Sequence, residues 1–306
     1  MAERWKRMLP ILGLIAFIAI AVFLMGRNSR RQQPTLSFAV TQEELNSYRE
    51  IEARFPARDF AGLTERIESL FASLPAGNPV RCHLAMAYAK MGRHQAEKAA
   101  EYLEKDEESF KDEGEALRIG CLGDINLYYL DRPEAAAECY EQVLPLAPTV
   151  AYMTLASLFK VYSGHSRTFD REKMRVYLEK LAAFPDSPHF AVATMINLAV
   201  SGKRDEAIRK LEWLEAQLPP ESLAVENVYS APVWGWLGEA EKAVEYLEPG
   251  LKVQASGYSA EGFRVYCDWN RQSPAYDSIR GNAAFTAMWK RLYAFEPEPE
   301  LAGNGR

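Results

Sequence analysis

The 306-residue chain is long enough to bury one or two full cores, and at 48% hydrophobic and 25% charged residues its composition is that of a globular protein. Its charge is unevenly spread: residues 1–31 carry Arg4, Lys6, Arg7, Arg27, Arg30 and Arg31 against Glu3, about +5, so the rest of the chain holds about −11 within an overall −6. An acidic body lacks the basic face that phosphate-backbone binding needs, which excludes a nucleic-acid partner.

Residues 1–7 read as a basic N-terminal tail. Met8 to Met25 is free of charge and apolar throughout, about 18 residues or roughly 27 Å as a helix. This predicts a transmembrane anchor over 8–26 and the lipid bilayer as a partner. A cleaved signal peptide has a shorter apolar stretch and a small-residue cleavage site, whereas Gly26-Arg27-Asn28-Ser29-Arg30-Arg31 follows here. Lys and Arg balance across the span, and the free amine tips the expected orientation towards an inside N-terminus with the large domain translocated.

Residues 27–41 form a polar linker containing Gln32-Gln33-Pro34. Thr41 then starts a helix, with Glu44 placed to complete a capping box. The first helix pair is expected at 42–54 and 58–74, ended by Pro75-Ala76-Gly77. In the next, Cys82 to Met91 leads through Gly92-Arg93 into a helix bearing Ala96, Ala99, Ala100 and Leu103. Leu117 to Leu130 repeats the first-helix pattern, turns at Asp131-Arg132-Pro133 and continues through Ala136, Tyr140 and Val143 to Pro148. A further pair carries Tyr152, Leu155 and Phe159, a turn at Ser163-Gly164, then Met174, Tyr177, Leu178 and Leu181 before Pro185.

The stretch from His189 to Pro219 is the clearest copy. An apolar run (Ala191, Met195, Leu198, Ala199) meets a Gly202-Lys203 turn, and Ala207, Leu211, Leu214 and Leu218 then keep one stripe on one helical face. Asp205 and Glu206 place negative charge in the first turn of that helix. The last copy turns at Gly238-Glu239 and continues through Ala243, Val244, Leu247 and Leu251. The turn markers Gly92, Asp131, Gly164, Gly202 and Gly238 are 39, 33, 38 and 36 residues apart, a spacing near the ~34 of helix-pair repeats with small insertions. No strand-like alternation competes, so the expected fold class is all-α.

The order small residue, aromatic, Gly turn, Ala, large apolar, Pro resembles the tetratricopeptide repeat (TPR), over roughly residues 42–253. Thr194 and Met195 stand where the family favours Leu-Gly, and Gly250 where it favours Ala. The segment Ser273 to Phe285, with Met288, Trp289 and Leu292 beyond it, resembles the closing segment of bacterial TPR proteins. This gives a capping segment at 254–294, with Asn282 capping its last helix, and a disordered tail at 295–306. The resemblance implies a right-handed superhelical solenoid of antiparallel helix pairs whose first helices line the concave side. It places Met86, Lys90, Asp124, Tyr128, Tyr162, Ile196, Val200 and Trp236 on that lining as a partner-binding groove. The set is mainly apolar and aromatic, suited to a protein or peptide segment anchored by a few large side chains.

Catalytic chemistry has no foothold in the sequence. His83, His94, His165 and His189 fall in different units without HExxH or HxH spacing, and the four cysteines form no CxxC or Cys/His cluster. Neither a phosphate-binding Gly-rich loop nor a G-x-S-x-G elbow is present. Acidic runs such as Glu104 to Glu108 read as solvated helix surface. No catalytic residue, metal or cofactor is therefore expected. Cys121 and Cys139 lie on the two helices of one hairpin, which leaves a disulfide in an oxidising compartment or, the favoured reading, reduced core thiols.

The expected function is that of a non-enzymatic, membrane-anchored scaffold or adaptor for membrane-associated proteins, single-pass in the bacterial inner membrane with its repeat domain on the periplasmic or extracytoplasmic side. Two alternatives remain: a sensory solenoid taking a small apolar molecule, and an enzyme built on a helical toroid.

Overall fold

The computed structural model describes residues 41–218 and 220–296. The N-terminal tail, the expected anchor and residues 27–40 of the linker lie outside the described residues, as does the tail from 297. No helix among the described residues is long and apolar enough to cross a membrane.

Among the described residues the fold is all-α, with one isolated β-bridge between Ser163 and Phe169. Helix α1 (Gln42–Arg54) and helix α2 (Leu63–Ser73) both rest on α3 (Pro79–Ala89), which pairs with α4 (Arg93–Lys105). Four more hairpins follow. They are α5 (Asp112–Tyr128) with α6 (Pro133–Leu146), α7 (Ala151–Tyr162) with α8 (Arg171–Leu181), α9 (Pro188–Val200) with α10 (Arg204–Glu215), and α11 (Pro220–Trp236) with α12 (Ala240–Gln254).

Local chemistry sets the helix ends. Thr41 Oγ1 accepts the Glu44 N–H at 3.2 Å while the Glu44 carboxylate accepts the Thr41 N–H at 2.7 Å, a reciprocal capping box. Asn78 and Ser187 cap α3 and α9 ahead of a proline at the first helical position, where a missing N–H costs nothing. The turn at Gly202 has φ 72°, and Asp131 adopts the same left-handed backbone at φ 54°. A short Asp side chain tolerates that region better than most residues do, so it can stand in for Gly. Just past four of the turns, Ala96, Ala136, Ala207 and Ala243 are fully buried and let the second helix close on the first. Arg81 is buried too: its guanidinium binds the Asp106 carboxylate and donates to the carbonyls of Phe71 and Leu74, tying the ends of α2 and α4 together.

The first helices stack side by side, but not without a break. Helix α1 packs on α3 and α3 on α5; α7 packs on α9 and α9 on α11. Between α5 and α7 there is almost no backbone contact, and α6 packs on α7 instead. The apolar core divides at the same place, into a cluster running from Tyr48 to Leu130 and one running from Leu127 to Leu292, with Tyr128 and Tyr258 touching both.

The C-terminal part of the chain crosses this seam. After α12, a 3₁₀ turn (Ala255–Gly257) leads into α13 (Ala260–Arg271), a second 3₁₀ segment (Pro274–Ile279) and α14 (Ala283–Tyr293). Helix α14 packs on α12 behind an Asn282 cap and buries Phe285, Met288, Trp289 and Leu292. Helix α13 runs back to α4 and α5. The Ser259 N–H donates to the Lys90 carbonyl at 3.2 Å, its hydroxyl donates to the Met91 carbonyl, and Arg58 donates to the Tyr258 carbonyl at 2.6 Å. Further along, Ser273 donates to the Gly164 carbonyl and Ser278 to the Gly235 carbonyl at 3.2 Å. Residues 255–279 thus form a strap that joins turns from hairpins far apart in sequence.

Gly262 makes the strap's approach possible, because a Cβ there would be driven into the Lys90 carbonyl, whereas one at Gly257 would meet open space. Gly262→Ala should therefore destabilise the domain by about 3 kcal/mol, as overpacking against backbone does. Gly257→Ala should stay within about 0.5 kcal/mol of the parent. Denaturant unfolding of the two variants checks the pair.

Candidate functional site

The seam between α5 and α7 is where chemically capable side chains gather. Asp124 and Tyr128 stand four residues apart on one face of α5. Tyr140 comes from α6, Lys160 from α7, Ser163 and His165 from the turn after α7, His189 from α9 and Tyr229 from α11. Tyr140 donates its hydroxyl proton to Asp124 Oδ1 at 2.6 Å. The Lys160 ammonium lies 3.9 Å from the centre of the Tyr229 ring, a cation–π contact. Tyr128 meets Trp269 of the strap edge to face, with centroids 4.8 Å apart.

Lys160 is the electrostatic centre of the group. Burial raises the Asp124 carboxyl above its usual range, against the Tyr140 hydrogen bond and the Lys160 charge, which lower it. Burial, and then the same Lys160 charge, push His165 down to about 3 and His189 down to about 4. Both imidazoles are therefore neutral near pH 7. Asp124, Tyr128, Lys160, His189 and Tyr229 are half-buried, set deep among protein yet still in contact with solvent.

Ser163 and His165 form the one pair here with the look of a nucleophile and its base. Ser163 Oγ lies 2.8 Å from His165 Nδ1, and His165 Nε2 lies 3.3 Å from the Tyr229 carbonyl. Two observations argue against acyl-transfer chemistry. Ser163 is completely buried, and an imidazole titrating at about 3 is too weak a base to activate a hydroxyl at neutral pH. The pair serves instead to fix the turn against α11. Among the described residues no group of His, Cys, Asp and Glu is arranged to hold a metal ion.

The eight residues assigned to a groove lining are distributed differently. Asp124 and Tyr128 belong to the seam cluster. Ile196 is fully buried and Val200 packs against the larger core cluster. Tyr162 stacks on Tyr177 of its own hairpin, centroids 5.8 Å apart, with Lys173 over the ring. Trp236 lies against Phe169, and a Cβ on Gly164 would run into its ring. Met86 joins the N-terminal cluster, and the backbone of Lys90 is engaged by the strap. Lys160, Tyr140, Tyr229, His165 and His189 were not singled out from the sequence as partner-binding residues. Lys160 did leave a signal there. Four residues ahead of the turn marker, the other repeats carry Tyr88, Leu127, Leu198 and Trp234, and only this one carries a charge.

A hollow of about 450 Å³ opens on the surface beside Leu198, Glu206, Arg209, Lys210 and Trp213, away from the seam. It is shallow, its charges are mixed, and the Lys210 ammonium already lies 4.0 Å from the centre of the Trp213 ring. No family model, curated protein or solved structure matches the chain.

The depressed imidazoles make stability depend on pH in a defined direction. Unfolded, each titrates near 6.5, so below that pH the unfolded chain takes up protons that the folded one refuses. Stability present above about pH 6.5 is lost as the pH falls towards 4, by about 1.4 kcal/mol per pH unit for each group. Asp124 works in the opposite sense, because its raised carboxyl favours the folded state as it protonates. His165→Gln should remove one histidine's share of the slope between pH 6 and 4, and urea unfolding at several pH values reads that share directly.

Proposed function

We propose that the chain is a membrane-tethered adaptor of the tetratricopeptide kind, without catalytic activity, that holds a segment of a partner protein at the seam between α5 and α7. Its expected setting is the bacterial inner membrane, with the repeat domain on the periplasmic side. The observation that carries the reading is the half-buried cluster around Lys160, assembled from α5, α7, α9 and α11. Side chains converging from separate hairpins on a gap in the stack are placed to read an extended segment laid across them. The Tyr128 and Tyr229 rings offer flat apolar area, while Lys160, Asp124 and the neutral imidazoles offer directed polar contacts. An anchor over residues 8–26 would confine the domain to the membrane surface and raise its effective concentration towards membrane-associated partners.

Tyr128 and Trp236 would be poor probes, since both rings also pack against the chain itself. A photocrosslinking residue in place of Tyr229 should capture a discrete partner in membranes. Adding Lys160→Glu should reduce that adduct at least about tenfold, the effect of losing roughly 1.4 kcal/mol of contact, with the helical circular dichroism unchanged. An adduct of undiminished yield in the folded double variant would remove the seam from the proposal.

A further inference from the structure

The four cysteines are free and buried, but their surroundings differ. Cys139 on α6 sits with Ala116, Ile119 and Val143. The α5 residue facing it is Gly123, whose Cβ would come 3.2 Å from the Cys139 Cβ. The pairing of Cys121 with Cys139 considered from the hairpin pattern is therefore not the one the fold favours. Cys267 belongs to α13 and the larger cluster.

Cys82 and Cys121 stand on α3 and α5, which pack directly on each other, and share one core cluster. They occupy the same place in successive repeats, each ten residues ahead of its turn marker, Gly92 or Asp131. Helix axes in contact are about 8–10 Å apart, and each Cα stands about 2.3 Å off its axis. Facing Cα atoms on two such helices are then about 3.4–5.4 Å apart, a range that overlaps the roughly 4.4–6.8 Å that a disulfide spans. The two side chains also act on each other: the Cys82 thiol, together with burial, raises the Cys121 thiol above its usual range.

We propose that Cys82 and Cys121 are a disulfide-forming pair that staples α3 to α5 when the chain folds in oxidising surroundings. The thiolate of one cysteine attacks a disulfide donor such as glutathione disulfide and expels one thiol. The thiolate of the other then breaks the mixed disulfide and expels the second. The cysteines give up two protons and two electrons, and the donor leaves as two thiols. Once the core has closed, both sulfurs are shielded, so the bond forms while the hairpins assemble.

The test uses the full chain, unfolded under reductant and refolded in detergent with either a glutathione redox buffer or reductant alone. Each product is then alkylated in denaturant without further reduction and mapped by mass spectrometry. The reductant arm should take an alkyl group on every cysteine. The glutathione arm should lose two, keeping those on Cys139 and Cys267, with a peptide linked through Cys82 and Cys121. In Cys139→Ser the same linked peptide should persist. Alkylation of all four cysteines after glutathione refolding, or a link between Cys121 and Cys139, would overturn the proposal. The readout is an intramolecular bond and so is independent of whether the seam binds a partner.

Discussion

The backbone of α13, pressed against the Lys90 carbonyl at Gly262, turns a row of hairpins into a single body. Stacked helix pairs ordinarily contact only their neighbours, and their stability is close to a sum over repeats. Here the two apolar clusters part between α5 and α7, and a plain row could open at that point. The strap counters this by adding contacts between residues more than 150 positions apart, such as Ser259 with Met91. Such contacts form late, because a long loop must close before they repay its entropy. The strap therefore couples the halves only in the assembled domain.

The same gap explains why polar groups can survive so deep in the molecule. Where first helices touch, their facing positions are filled by residues such as Leu84, Ile125, Met195 and Ile196, all but fully buried. Where α5 and α7 do not stack, Lys160 lies half-buried. It is balanced by the Tyr229 ring and by Asp124, itself held by Tyr140. Burial, with the Lys160 charge behind it, keeps His165 and His189 neutral, so neither adds like charge beside Lys160.

Helix pairing was legible in the sequence because it rests on local rules. The 3.6-residue apolar stripe, the Thr41–Glu44 pair and the punctuation at Gly164, Gly202 and Gly238 act within a few residues, and each can be read without the rest of the fold. Asp131 could be taken as a turn marker by its position, although its chemistry differs from glycine. The strap was not legible. Phe263, Tyr266 and Trp269 have the pattern of any amphipathic helix, and nothing local says that their face returns to α4 and α5 rather than closing the end of the stack. The cluster at the seam was not legible either. Assigning groove residues by repeat position presumes that every first helix stacks alike, whereas the break after α5 changes what each position faces. Trp236 and Tyr162 then go to packing, while Lys160, at a position otherwise filled by Tyr, Leu or Trp, gains the seam.

The strap also limits how a partner can engage the domain. Displacing α13 would expose Phe263, Tyr266, Cys267 and Trp269, each at most 3% exposed. At about 1.5–3 kcal/mol for each large side chain, that is of the order of 5–9 kcal/mol before any hydrogen bond is counted. A micromolar complex has only about 8 kcal/mol in total. On the proposed function, a partner of ordinary affinity would therefore meet the strap in place, as one wall of the seam. The edge-to-face contact between Tyr128 and Trp269 would then belong to the proposed binding surface, because it fixes the angle at which the Tyr128 ring is presented beside Asp124. In this arrangement the residues that close the fold also hold the proposed site in shape, and little ordering would remain to be done on binding.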